Sequence, residues 1–339
     1  MSGMSGKLLD EDCPDKVRLS VDEAQTLGES ALRVAGFSAE EARIVAEHLV
    51  DASTWGFEFA GLPRILVIAE RPELRKPLTP ISIIRESPVC AFLDGGNHIG
   101  YVTLLRAAAI AIEKARTSGV AIVGMRNSWF GGRNGYYLER IARAGLVGIY
   151  MGSSTPTVVP PGAARKALGT NPFTIALPRD GNPYIYDIGT AAVMSGEMLM
   201  RAFLGQSFEE DVGIDGSGKP TRVARELVQG GVYPFGGHKG FGLSLTIQAL
   251  GLLVGSKFRN GEVADFGFLL IAFDPELFMP LGQFTTELEE LLQTVQGLPR
   301  QEGVAAIRIP SERGFHERAI RREQGILVSR QVVERLQSM

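Results

Sequence analysis

VAIVGMRNSWFGGRNGYYLERIARAGLVGIYM, residues Val120–Met151, sets the grammar of the chain. Val120–Gly124 is a short apolar run of the length a buried strand takes, and Leu146–Met151 is another. Between them, Gly135–Ala144 places apolar residues at helical spacing and stops at Gly145, a residue type that favours helix ends. Arg126–Gly135, polar and rich in glycine, joins the first strand to that helix. Upstream, Leu104–Thr117 reads as a helix closed by Gly119. Downstream, Phe173–Ala176 and Tyr184–Ile188 read as a hairpin around Arg179-Asp180-Gly181, because Asp-Gly favours a tight turn. Phe241–Val254 reads as a buried helix and Phe266–Phe273 as a near-continuous apolar strand.

Both ends of the chain are helical. Ser20 with Glu23 and Ser38 with Glu41 have capping-box spacing, each opening an apolar repeat. The first helix runs through Ala24, Leu27, Ala31 and Leu32 to Gly36. The second, Glu41–Thr54, keeps Ile44, Val45, His48 and Leu49 near one face. WGFEFAGLPRIL, Trp55–Leu66, then interrupts the pattern with two glycines and a proline. Glu287–Val295, Glu312–Gln324 and Gln331–Leu336 read as helices. The expected organisation is a loose lead-in over 1–18 and a helical domain over 19–85. An α/β domain follows over 86–285, then a C-terminal helical segment over 286–339 that packs on the N-terminal helices.

The 339 residues are 45% hydrophobic and 22% charged, as in ordinary globular proteins. Lys and Arg number 35 against 38 Asp and Glu, so the net charge of -3 gives no reason to expect nucleic acid. Cys13 and Cys90 cannot build a disulfide scaffold or a four-ligand zinc site and fit a reducing cytosol. His48, His98, His238 and His316 have no metal-ligand spacing, so no metal is expected. No apolar stretch reaches the ~20 residues a bilayer needs, and MSGMSGKLLDEDCPDK has no apolar core of an export signal. The expectation is a cytoplasmic protein without membrane contact.

Gly213-Ile-Asp-Gly-Ser-Gly218-Lys219-Pro220 nearly matches a phosphate-binding loop. It places Pro220 where a Mg²⁺-binding hydroxyl belongs, and no apolar strand feeds it, so it reads as a surface turn. No G-x-G-x-x-G follows a strand and opens a helix, which excludes an ordinary Rossmann site. Three other segments combine glycine with polar residues beside buried elements: Arg126–Gly135, Gly169-Thr-Asn-Pro172, and Gly236-Gly-His-Lys-Gly240. The last precedes a long apolar helix, where backbone amides and a Lys can face an anion together.

Taken in order, RNS…FG…GYY (Arg126–Tyr137), VPPGAARKALGTNP (Val159–Pro172), the strand with Asp187, PFGGHKGFGLSL (Pro234–Leu245) and FLLIAFDPELF (Phe268–Phe278) resemble the type 2 malate/L-lactate dehydrogenases. That family includes ureidoglycolate dehydrogenase, sulfolactate dehydrogenase, diketogulonate reductase and piperideine-2-carboxylate reductase. The resemblance runs from about Ser20 to about Gly325. It implies a non-Rossmann α/β mixed-sheet fold with a helical domain formed from N- and C-terminal segments. It also implies a homodimer and NAD or NADP-dependent chemistry on a small 2-oxo, 2-hydroxy or cyclic 2-imino acid.

Residue by residue, the resemblance implies a substrate carboxylate held by Arg64, whose guanidinium suits bidentate recognition, with Thr170 as a second substrate contact. Members of the family carry Ser and a proton-transferring His in the segment that aligns with Gly56–Arg64. Here those positions are Phe59 and Ala60. The position of the family's supporting Asp aligns with Glu197. Cofactor contacts are implied for Asn127, Ser128, Trp129, Phe130, Gly131 and Gly132, for Asp187, Ile188 and Gly189, for Ser195 and Gly196, for His238, Lys239 and Gly240, and for Pro310 and Arg313. Trp129 and Phe130 fit either stacking on the cofactor or core packing. Arg133 and Arg313 lean toward NADP.

Reduction of a 2-oxo acid places charge on oxygen and needs a proton donor, worth ~10²–10⁴-fold. With Ala60 in place of the acid, three readings follow. The substrate is a protonated cyclic imine that needs no acid, or His98 or Glu58 replaces the missing group, or the chain binds cofactor as a catalytically impaired homologue with a structural or sensing role.

Overall fold

The computed structural model describes residues 15–259, 262–263 and 265–339. Cys13 and most of the lead-in, residues 1–14, lie outside them. The described residues form two compact units, one running up to Leu74 and resuming at Gly314–Met339, the other Arg75–Arg313.

In the first unit, β1 (Lys16–Leu19) leads into α1 (Val21–Val34) and α2 (Ala39–Thr54). Both capping boxes form. Ser20 Oγ accepts from the Glu23 N–H at 3.2 Å while the Glu23 carboxylate accepts from the Ser20 N–H at 2.7 Å. Ser38 and Glu41 repeat the arrangement, and each cap stabilises its helix by about 1 kcal/mol. The glycine- and proline-broken stretch becomes one 3₁₀ turn at Glu58–Ala60 and then α3 (Arg64–Ala69).

The second unit is built on a seven-stranded sheet. Its strands are β2 (Ser82–Ser87), β3 (Cys90–Asp94), β4 (Val120–Arg126), β5 (Val147–Ser153), β6 (Phe173–Leu177) and β7 (Tyr184–Ile188), with a late strand from further along the chain. Helix α4 (Gly100–Ser118) links β3 to β4, and the Gly119 C-cap adopts φ +77° as its position implied. Helix α5 (Gly135–Arg143) links β4 to β5. Beyond β7 come α6 (Ser195–Phe203), the two-residue strands β8 (Gly213–Ile214) and β9 (Pro220–Thr221), α7 (Ala224–Gln229) and β10 (Gly231–Val232). The near-match to a phosphate loop is the β8–β9 turn: Asp215 Oδ1 accepts from the Ser217 and Lys219 N–H groups at 2.8 and 3.0 Å. An aspartate that already collects the turn's donors leaves them unavailable to phosphate.

Helix α8 (His238–Leu253), the pair β11 (Phe258–Arg259) and β12 (Glu262–Val263), and then β13 (Gly267–Phe273) follow. Strand β13 inserts between β4 and β5 in the order β2-β3-β4-β13-β5-β6-β7, antiparallel to both neighbours. Only β3 and β4 run parallel within this sheet. Helix α9 (Leu281–Gln296) buries Leu288 and Leu292 with Ile309 inside this second unit. The chain then returns to the first unit through α10 (Glu312–Gln324), β14 (Ile326–Ser329) and α11 (Arg330–Gln337), and β14 pairs antiparallel with β1. The N- and C-terminal segments thus share one core.

Helix α8 departs from the expectation of a buried helix. It is apolar almost throughout, yet its buried positions include Gly240, Ser244, Gln248 and Gly251, while Leu245, Leu252 and Leu253 stand 49%, 47% and 74% exposed. Close approach explains the inward glycine, since a Cβ on Gly251 would lie 2.4 Å from Ser153 Oγ.

Candidate active site

The parallel ends of β3 and β4 place Asp94 beside Arg126, and the turns that follow them interlock. Backbone bonds run from Gly95 N to Arg126 O (2.9 Å), Asn97 N to Asn127 O (2.8 Å) and Gly100 N to Trp129 O (2.7 Å). Asp94 ties both turns, accepting from the Gly96 N–H at 2.9 Å, Asn127 Nδ2 at 2.7 Å and Arg126 Nε at 3.1 Å. Burial pushes the Asp94 carboxyl up, but these hydrogen bonds and the Arg126 charge outweigh it and hold the group below the usual carboxylate range. Asn97, Asn127 and Phe130 all adopt positive φ, 66°, 51° and 52°. Asn tolerates this region; a Phe there is strained and is held by its surroundings.

His98 sits half-buried in this interlock, with Nε2 3.1 Å from the Thr79 carbonyl oxygen. A carbonyl can only accept, so Nε2 carries the proton in this contact. The His98 carbonyl in turn accepts from Ser128 Oγ at 2.8 Å. Trp129 belongs to the core: it is 3% exposed and its indole N–H donates to Asn97 O at 2.9 Å. Phe130 is half-buried, its ring edge-on to Phe266 at 6.1 Å.

The start of α5 differs from an open phosphate cradle. The Gly135 N–H donates to Asp187 Oδ2 at 2.7 Å, and Thr174 Oγ1 donates to Asp187 Oδ1 at 2.7 Å. A carboxylate already occupies this helix N-terminus, and it repels a second anion. Arg133 is 6% exposed, so its guanidinium is not displayed on the surface as a contact for a cofactor phosphate.

A second set of turns joins around α8. The Thr170 carbonyl accepts from Thr190 N and Oγ1 at 2.8 and 3.0 Å, and Thr190 O accepts from the Phe235 N–H at 3.0 Å. Fully buried Asn171 donates to Ser244 O at 2.9 Å and Gln248 Oε1 at 3.1 Å, and Gln248 passes the chain on to Ser256. Thr170 itself is 6% exposed. Gly236 and Gly237 take φ +54° and +61° and deliver the chain into α8, whose N-terminus has no side-chain cap. His238 and Lys239 stand exposed at that end, and Gly240 is buried.

Of the remaining site residues, Ile188 and Gly189 end β7 and run into the Thr190 turn, while Ser195 and Gly196 open α6. Glu197 is ion-paired with Arg201 at 3.0 Å. Pro310 lies in the Ser311 turn, whose hydroxyl accepts from the Ile185 N–H at 3.1 Å, and Arg313 is exposed. In the first unit, Glu58 binds Lys16 Nζ at 2.6 Å and Arg64 opens α3, half-buried. Sequence reasoning missed Asp94 as the clamp and Asn171–Gln248 as the inner brace. The Asp94-Gly-Gly spacing, an Asp before a turn, was the available signal for the first.

An α/β unit with a mixed sheet and glycine-rich turns in place of a Rossmann fingerprint is the architecture of a non-Rossmann dehydrogenase. The chain belongs to the malate/L-lactate dehydrogenase family, whose profile matches residues 19–337. It is 33% identical to a malate dehydrogenase of Pyrococcus abyssi, over 94% of this chain and 93% of that protein. It is also 33% identical to a Δ(1)-pyrroline-2-carboxylate reductase of Pseudomonas fluorescens, over 95% of this chain and 98% of that one. The solved malate dehydrogenase of Pyrococcus horikoshii matches the fold with a TM-score of 0.84 at 29% identity, covering 96% of this chain and 95% of its own. The protein is therefore an oxidoreductase, in a family of NAD(P)-dependent dehydrogenases and reductases. Among the described residues, no helix is long and apolar enough to cross a membrane.

Proposed function

We propose that the protein is an NAD(P)H-dependent reductase of a cyclic 2-imino acid, a pyrroline- or piperideine-2-carboxylate. The observation that carries this reading is that Ala60 stands where the family resemblance places the proton-transferring His, and that each candidate replacement already makes a polar contact of its own. His98 donates through Nε2 to Thr79 O, Glu197 pairs with Arg201, and Glu58 pairs with Lys16. A protonated imine needs none of them: as hydride adds to carbon, the C=N π electrons become the nitrogen lone pair, and the positive charge is discharged without a proton being delivered.

The residues present fit a dinucleotide, because α8 offers an N-terminus without a side-chain cap beside exposed His238 and Lys239. A nicotinamide cofactor bound there supplies the hydride. Lys239 and the Gly236–His238 amides would neutralise its phosphates, and Asn127, Gly131, Gly132 and Phe130 are the further residues that would contact it. Arg313, exposed where Arg133 is buried, favours NADP. Arg64 binds the substrate carboxylate, and Thr170 is the substrate contact of the second unit. The assembly is a homodimer in the cytoplasm.

A panel with NADH and NADPH against both cyclic imines, pyruvate, oxaloacetate and ureidoglycolate tests this. Turnover is expected with an imine and not with the oxo acids. Faster turnover of an oxo acid overturns the reading in favour of His98 as the donor. Tight NADPH binding with no turnover of any substrate marks the chain as an impaired homologue.

A further inference from the structure

The turn that carries Ala60 and leads into Arg64 hangs from the last residues of α2, and those are held by the far end of the chain. Helix α2 has no basic residue in its own last turn. Three arginines of α10 stand there instead, supplying the positive charge that a helix C-terminus favours. Arg318 and Arg322 reach Asp51 Oδ1 at 3.6 and 3.5 Å, and Arg321 Nη1 donates to Ser53 O at 3.1 Å. Arg321 is buried, and its Nε donates to Glu317 Oε2 at 2.9 Å, so the guanidinium is fixed at two points. Ser53 is the pivot. Its carbonyl also accepts from the Gly56 N–H at 3.1 Å, where the chain leaves α2 at φ +85°. Its side chain lies against Gly61, where a Cβ would collide with Ser53 Oγ. The Gly61 carbonyl accepts from the Arg64 N–H at 2.9 Å. One path of contacts therefore runs Arg321–Ser53–Gly61–Arg64, with Gly56 beside it: a Cβ there would stand 3.4 Å from Arg321 Nη2. Leu62 and Ile65, which flank Arg64, are fully buried, so α3 has little freedom to adjust on its own.

We propose that Arg321 is a positioning residue for the substrate carboxylate: by gripping Ser53 O it sets the pose of the turn from which Arg64 projects. Substrate affinity then depends on a side chain that touches no substrate. The proposal rests on the reading of Arg64 as the carboxylate's partner. A bidentate guanidinium–carboxylate pair needs two aligned N–H···O bonds, and such bonds weaken steeply with misalignment. A turn that drifts therefore degrades the pair before anything unfolds. The competing account is that Arg321 only neutralises the end of α2. For that purpose any cation at the helix end suffices, and Arg318 and Arg322 already supply two. Arg321 adds the bond to Ser53 O, which charge alone does not require. Lysine in its place keeps the charge but has a single terminal nitrogen, so it cannot bridge Glu317 and Ser53 O in the same planar geometry.

Three variants of the full chain test this: Arg321→Lys, Gly56→Ala and, as the control, Arg64→Ala. Each is measured for NADPH affinity, for turnover of Δ(1)-pyrroline-2-carboxylate, and for calorimetric binding of proline, the reduced product, to the NADPH complex. That complex cannot react, so binding is read without catalysis. Arg64→Ala is expected to raise KM and the proline Kd about 10-fold or more. Arg321→Lys is expected to raise both about 5-fold or more while kcat and NADPH affinity stay within about 2-fold, the signature of lost uniform binding. Gly56→Ala presses on the same contact from the turn side and is expected to repeat the effect; it decides if Arg321→Lys does not fold by circular dichroism. Folded Arg321→Lys and Gly56→Ala with wild-type KM and proline affinity overturn the proposal, and an impaired Arg64→Ala then leaves the reading of Arg64 standing. Equal losses in kcat, substrate affinity and NADPH affinity also overturn it, in favour of a clamp that only stabilises the fold. Arg64→Ala with wild-type proline affinity, or a wild type that neither turns over the imine nor binds proline, breaks the reading of Arg64 and the proposal with it.

Discussion

Helices α5 and α8 both begin in glycine-rich turns beside the same sheet, and their N-termini have opposite fates. At α5, Asp187 fills the end with a carboxylate, and the turn before it is locked by side chains: Asp94 on Asn127, Ser128 on His98 O, Trp129 on Asn97 O. At α8, no side chain caps the end, a Cβ on Gly237 would meet nothing within 4 Å, and Lys239 faces solvent. A glycine-rich loop before a helix therefore does not by itself announce a phosphate site. What decides is whether the protein has already placed a carboxylate of its own against the helix end.

Asp187→Ala gives the largest effect expected from this contrast. It removes two charge-assisted hydrogen bonds, so stability measured by urea denaturation should fall by about 2 kcal/mol, with NADPH affinity changing less than stability does. A variant of wild-type stability with much weaker NADPH binding would instead return Asp187 to the role of a direct cofactor contact. Lys239→Ala is the converse case. NADPH binding by calorimetry should weaken by ~1–2 kcal/mol while the urea midpoint stays in place, and unchanged affinity would remove the α8 end as the phosphate site. The smallest effect concerns pH. Asp94 is held below its ordinary pKa, so the stability it contributes is complete above the unfolded value near ~3.9 and is lost as pH falls through the lower folded value. Asp94→Asn should flatten that acid limb of the stability curve, and an unchanged limb would show that the clamp contributes nothing through its charge.

The parts of the fold legible in the sequence were those set by neighbours in the chain. Ser20–Glu23 and Ser38–Glu41 cap their helices across three residues, Gly119 and Gly145 close theirs with φ +77° and +84°, and Gly181 turns the β6–β7 hairpin at φ +74°. The position of β13 was not legible. Its pairing of Leu270 with Val123 and with Tyr150 joins residues more than a hundred apart, and local pattern carries no such information. Helix α8 misled for a related reason, since apolar composition says that a surface is to be covered but not by which chain. Within the site, motif positions identified the turns but not their occupants. Trp129 in the core, Arg133 buried and Asp187 as a helix cap each follow from long-range hydrogen bonds and packing that a residue's type leaves undetermined.

The central claim is that the substrate arrives with its own proton, and His98→Gln tests it most directly. Steady-state turnover of Δ(1)-piperideine-2-carboxylate with NADPH is to be measured across pH for the wild type and the variant. The expected result is a rate nearly unchanged by the substitution, falling in both proteins as pH rises through the pKa of the free imine. A loss approaching the ~10²–10⁴-fold of a general acid, with a pH profile that shifts when His98 is replaced, would contradict it.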